Sequence, residues 1–210
     1  MLKLALAAAW PTVRAARTGP FLLAAAAGLV LLAVPAVLTT ALDPDSLTLQ
    51  LRLAAVCAGV GAVFLLDDPA KPTTVVVPGR AWVTTALRVG LALVGAAVWW
   101  VAALGIVLVG AENGAGDLLQ LPGTTLEAAT IVVLALALAV AGYRLADRGV
   151  ASPITGPTLL VVVGGGALLP PGLALFVGVT DPRWAAAHDR WGFVLAGAGA
   201  ALLIGAVVRR

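Results

Sequence analysis

Apolar runs of roughly 18 residues or more recur along this chain, parted by short polar connectors. Wound as an α-helix at about 1.5 Å per residue, each run crosses a hydrocarbon layer about 30 Å thick. A water-soluble fold needs a polar surface that is missing here: 61% of the residues are hydrophobic and 11% charged, against roughly 25% charged in soluble domains. The pattern predicts an all-α polytopic membrane protein, one transmembrane domain over residues 1–210 whose solvent is the lipid bilayer.

Six spans are expected, at about Phe21–Leu42, Leu49–Leu66, Ala86–Gly110, Glu127–Tyr143, Thr155–Val179 and Gly192–Val208. Asp43 and Pro44 turn the chain after the first, and Arg52 near the start of the second snorkels toward the interface shared with Asp43 and Asp45. The fifth carries Gly164 to Gly166 and Pro170-Pro171, which predict a kinked or re-entrant segment, because proline removes a helical donor and glycine favours unwinding. Ahead of the spans, Lys3, Trp10, Arg14 and Arg17 recur at spacings of seven, four and three. They share one helical face and predict an interfacial helix over residues 1–18, bent at Pro11. Trp10, Pro11 and Arg14 stand where a cleavage site would have small residues, so a removable signal peptide is not expected.

Charge orients the spans. With six crossings, Lys3, Arg14, Arg17, Lys71, Arg80, Arg88, Arg144, Arg148, Arg209 and Arg210 fall on one side and Arg52, Arg183 and Arg190 on the other. That bias predicts cytoplasmic N and C termini and a location in the cytoplasmic (inner) membrane. The same scatter of basic residues along the ends of apolar runs, with no basic patch, argues against a nucleic-acid partner.

Chemistry is sparse. The single histidine, His188, lies beside Asp189 in the connector TDPRWAAAHDRW and reads as solvated. Cys57 has no second cysteine to pair with, no His/Cys set suggests a metal site, and no GxxxxGK[ST] loop binds ATP. No cofactor is expected. The spans carry no Asp, Glu, Lys or His away from their ends, which argues against proton-coupled transport. Trp99 and Trp100, near the middle of the third span, pack between helices or face a cavity. Small residues four apart, around Gly59 and Gly197, read as ordinary helix packing.

The stretch Leu65 to Arg88 is the long polar interruption. Asp68-Pro69 reads locally as a cap followed by the first residue of a helical turn. A catalytic role for Asp67 and Asp68 with Mg²⁺ and phosphate needs further carboxylates on a neighbouring helix turn, which the chain lacks, so it is not expected to be an enzyme.

FLLDDPAKPT at Phe64 to Thr73, followed by PGRAWVTTALR at Pro78 to Arg88, resembles a stretch of small actinobacterial permease-type proteins. The wider order of features resembles the membrane subunits of ABC-2-type exporters, although the chain is short and carries no fused ATPase. The resemblance implies a permease subunit that works with a separate ATP-binding cassette subunit and a second permease copy or paralogue. The substrate would be hydrophobic or amphipathic. Asp67, Asp68, Pro69, Lys71, Arg80 and Arg88 would dock the ATPase, with Arg80 to Arg88 as a short helix anchored by Trp82. Trp99, Trp100, Gly165, Pro170 and Pro171 would line the substrate pathway. The alternative is a non-transporting membrane scaffold, immunity or regulatory protein.

Overall fold

The computed structural model describes residues 16–38, 42–68, 81–110, 119–145 and 149–207. Among them every regular element is helical: α1 Thr18–Val37, α2 Pro44–Phe64, α3 Ala81–Gly110, α4 Leu121–Leu145, α5 Ser152–Ala167 and α6 Trp184–Val207. The interfacial helix expected over residues 1–18 lies almost wholly outside the described residues.

Among the described residues four helices are long and apolar enough to cross a bilayer, at Thr18–Pro35, Pro44–Phe64, Trp82–Val109 and Leu121–Leu145. These four helices mark a membrane-embedded protein. Of the other two expected crossings, α5 is only 16 residues, about 24 Å long, and α6 opens with the polar turn that contains His188, Asp189 and Arg190.

The centre of the bundle is α2 with α4. In these, 61% and 56% of the apolar window is buried, against 22% for α1 and 28% for α3, so the latter two are peripheral. Leu47, Leu51, Ala54, Ala55, Ala58 and Ala62 recur every three or four residues and form the inward stripe of α2. Ala128, Ile131, Ala135, Leu136, Ala139 and Val140 do the same for α4. Small side chains bring backbones close: a Cβ on Gly61 would stand 3.2 Å from the Phe21 carbonyl oxygen across α1, and one on Gly142 would stand 2.5 Å from the Thr155 methyl of α5. Thr48, Thr124, Thr130 and Thr155 are buried with their hydroxyls donating to the carbonyl four residues back, so they enter the apolar interior without an orphaned O–H. The outer faces are apolar instead, with Val94, Val98, Val101, Val161, Phe193 and Leu203 all exposed.

Successive helices alternate in direction. The end of α2, the start of α5 and Arg88 near the start of α3 meet around Asp67 and Asp68. At the opposite end, the starts of α2, α4 and α6 meet around Asp45, Arg52, Glu127 and His188.

Several boundaries differ from those expected. Of the short helix expected from Arg80 to Arg88, the described part from Ala81 on is the beginning of α3, which runs unbroken from Ala81 to Gly110. Thr124 and Thr125 belong to α4, which starts at Leu121 and not at Glu127; the Thr124 hydroxyl bonds back to the Gln120 carbonyl and the Thr125 hydroxyl accepts from Trp100. Gly164 to Gly166 stay helical in the last turn of α5, which ends at Ala167 ahead of Pro170-Pro171. Residues 168–183 then run without a long helix to the start of α6.

Candidate functional site: a buried charge cluster beneath a non-helical segment

Arg52 is the ninth residue of α2, Glu127 the seventh of α4 and His188 the fifth of α6. Each is therefore one to two turns inside its helix, and the three converge. Arg52 Nε donates to Glu127 Oε2 at 2.6 Å and Arg52 Nη2 to Glu127 Oε1 at 2.8 Å, a two-pronged pair. The side chains are 10% and 1% exposed, so this pair is removed from water. His188 Nε2 lies 3.2 Å from Glu127 Oε1. It is within ion-pair range but is not aligned as a hydrogen bond, and that buried nitrogen has no hydrogen-bond partner.

Neighbouring aromatic rings enclose the charges. The Arg52 guanidinium carbon stands 5.3 Å from the Phe176 ring centre and 6.0 Å from that of Trp184, both within cation–π range. The Trp184 ring covers His188 at 4.1 Å between centres, and Phe176 meets Trp191 edge to face. Gly123 makes the room on α4: a Cβ there would fall 2.7 Å from His188 Nε2 and 2.8 Å from Trp184.

Residues 168–183 close over this cluster and are pinned by its polar atoms. Arg52 Nη2 also donates to the Val177 carbonyl at 2.9 Å, and the Val179 N–H donates to Asp45 Oδ1 at 2.6 Å. Arg190 donates to the Ala174 carbonyl and Trp191 Nε1 to the Leu175 carbonyl. Non-helical backbone leaves carbonyls and N–H groups without intrahelical partners, and here side chains from α2 and α6 satisfy them. The tip of the segment is held separately: Asp181 accepts two side-chain bonds and one backbone bond from Arg183, which keep its carboxyl down at about 2.

This cluster corrects three expectations. Arg52 does not snorkel toward Asp43 and Asp45, because Glu127 offers it a carboxylate inside the bundle. His188 is not a solvated connector residue; the helix starts at Trp184 and carries it inward. Glu127 is a fully buried acid within a membrane-type helix, so the premise that the spans lack one fails.

The second polar cluster, at the opposite end, contains residues expected to dock an ATPase. Asp67 is fully buried and caps α5: its carboxylate accepts from the Ala151 and Ser152 N–H groups at 2.9 and 3.1 Å and from the Ser152 hydroxyl at 2.6 Å. Arg88 donates to the Asp67 carbonyl at 2.9 Å and pairs with Asp68 at 3.1 Å. Asp68 also donates its N–H to the carbonyl of Gly149, whose φ of 68° suits a residue without a Cβ. So Asp67, Asp68 and Arg88 come together, but as a junction within the chain. Pro69, Lys71 and Arg80 lie outside the described residues.

The expected pathway residues divide. Trp99 and Trp100 line a partly open apolar cavity of about 240 Å³ between α3 and α4, with Ala96, Ala128 and Val132. Trp99 Nε1 donates to the Ala25 carbonyl and Trp100 Nε1 to the Thr125 hydroxyl, which fixes both rings between helices. Gly165, Pro170 and Pro171 are exposed and line none of it. Among the described residues no group of three His, Cys, Asp or Glu could hold a metal ion.

The chain matches no protein-family model, no curated protein and no solved structure.

Proposed function

We propose that this chain is the membrane-spanning permease subunit of an ABC-type exporter, working with a separate ATP-binding subunit on a hydrophobic or amphipathic substrate. The observation that carries the transport reading is the Arg52–Glu127–His188 cluster buried beneath residues 168–183 between three helices of the bundle. Charged groups inside a membrane bundle are costly and mark substrate or ion pathways, and non-helical backbone at that depth is tolerated only against protein or a cavity. The ABC assignment rests on the resemblance around Phe64 to Arg88.

In this reading the helices alternate through six crossings. α5 with the chain up to Val179 makes the fifth and α6 the last, both termini are cytoplasmic, and the Asp67 end faces the cytoplasm of the inner membrane. The ATPase docks on the stretch that the Asp67–Arg88 junction holds at its base, and the Trp99–Trp100 cavity receives apolar parts of the substrate. A second copy or paralogue completes the pathway against an exposed apolar face.

A competing reading, a non-transporting scaffold or regulatory membrane protein, is favoured by one observation: Asp67, Asp68 and Arg88 already bond within the chain. Purification in mild detergent separates the two. A P-loop ATPase that copurifies, and whose ATP hydrolysis rises when the chain is present, supports the permease. A chain that purifies alone and leaves such an ATPase unstimulated supports the scaffold.

A further inference from the structure

His188 Nδ1 lies 2.8 Å from the Trp184 carbonyl oxygen. A carbonyl only accepts, so this nitrogen carries a proton. In a neutral ring Nε2 then presents a bare lone pair, and it would do so 3.2 Å from a carboxylate oxygen of Glu127 with no other hydrogen-bond partner. Two electron-rich atoms buried at that distance repel. A proton on either one turns the contact attractive. Both Glu127 oxygens already accept from Arg52, so the geometry leaves Nε2 as the place for the proton.

We propose that Glu127 and His188 form a proton-binding site, and that Arg52 couples its occupancy to the position of residues 168–183. The contacts form one chain from His188 Nε2 through Glu127 Oε1 and Arg52 Nη2 to the Val177 carbonyl. Arg52 Nη2 has two protons, one for Glu127 and one for the segment. A proton taken from water at that end adds a second cation beside Glu127, and the Val177 carbonyl dipole, aimed at Arg52, offsets the added charge. The closed position of the segment is therefore the proton-bound form, and by linkage lower pH favours it.

Other titratable groups around the cluster do not account for such a response. From the segment, Asp181 stays ionised down to about 2 through its bonds to Arg183. From α2, Asp45 is engaged with the Val179 N–H, and Asp43, the cap, is held below its usual range by hydrogen bonds from the hydroxyl and N–H of Ser46. From α6, Arg190 donates to the Ala174 carbonyl, and Asp189 is the remaining acid on that turn. The inference stands on the geometry of the cluster and holds whether or not an ATPase partners the chain.

The chain has one histidine. Protein grown with ¹⁵N-histidine, purified through a histidine-free tag and placed in phospholipid nanodiscs, therefore gives the NMR signals of one ring. Across about pH 5 to 8 the expected result is a ring with both nitrogens protonated at the acid end that loses the Nε2 proton first. Glu127→Gln removes the carboxylate charge beside Nε2 and lowers the protonated-to-neutral ratio of the ring at a given pH. A ring that stays neutral throughout, or that carries its neutral proton on Nε2, overturns the site.

Hydrogen exchange of the wild-type protein tests the coupling and needs no variant to fold. Corrected for intrinsic rates, the amides of residues 174–179 become about tenfold less protected over the same rise in pH. His188→Gln removes that dependence. Unchanged protection in the wild type, or an equal response in His188→Gln, overturns the coupling.

Discussion

Glu127 and Arg52 neutralise each other where both are largely shielded from water, so removing one is expected to cost far more than removing both. Glu127→Ala strands a buried guanidinium and should destabilise the protein by about 3–5 kcal/mol. Arg52→Met with Glu127→Leu replaces the pair by apolar atoms of similar length and should recover most of that loss, read as thermal unfolding in one detergent. Equal costs for the single and double variants would show that the pair is not effectively buried. Asp67→Ala belongs to the same scale. It removes three acceptor contacts at the start of α5 and should cost about 2–3 kcal/mol, while Asp67→Asn, which keeps one acceptor oxygen, costs less. Neither pairing was legible in the sequence. Arg52 and Glu127 are 75 positions apart and Asp67 and Ser152 are 85 apart, and no local spacing encodes such partners. A signal did exist for Glu127. Extending its helix back to Leu121 moves this acid from the end of an apolar run to its second turn, but Pro122, Gly123 and two threonines resemble a connector.

Helix centres were legible because apolar length determines them, and the ends were not because capping and tertiary bonds determine those. Asp43 and Pro44 start α2 as a cap and first-turn proline, a local device readable from DPDS. The end of α5 has a local cause and a tertiary one. Gly164 to Gly166 remain helical although glycine is a poor helix former, Pro170-Pro171 stop the helix just beyond them, and Arg52, Asp45, Arg190 and Trp191 offer partners to the backbone of the non-helical chain that follows. Between elements, close approach rests on the small residues. A methyl at Gly142 would meet Thr155 of α5 at 2.5 Å, so Gly142→Ala should separate α4 from α5 and cost about 1–3 kcal/mol. Gly164→Ala, with open space around it, should be neutral or stabilising. Thermal unfolding of the two variants side by side reads the difference, and equal effects would deny that α4 and α5 pack closely at this point.

At the scale of the molecule, the length of the apolar runs made the helical, membrane-embedded class legible, because an unbroken apolar run of that length satisfies its own backbone in lipid by winding into a helix. The number of crossings is harder to read. Among the described residues four helices are long and apolar enough to cross, while α5 falls short of a bilayer's thickness and α6 begins with charges. A reporter fused after Arg210 should report from the cytoplasm, and an external signal would remove the six-crossing arrangement. The mechanical sense of α5 follows from how its two ends are tied. One end is clamped by the Asp67 carboxylate to the base of the stretch between α2 and α3, and the other runs directly into the segment that Arg52 holds at Val177. A helix of 16 residues resists compression along its axis, so it acts as a strut. Any displacement of the Asp67 junction arrives, about 24 Å away, as a push or pull on the far end of the bundle.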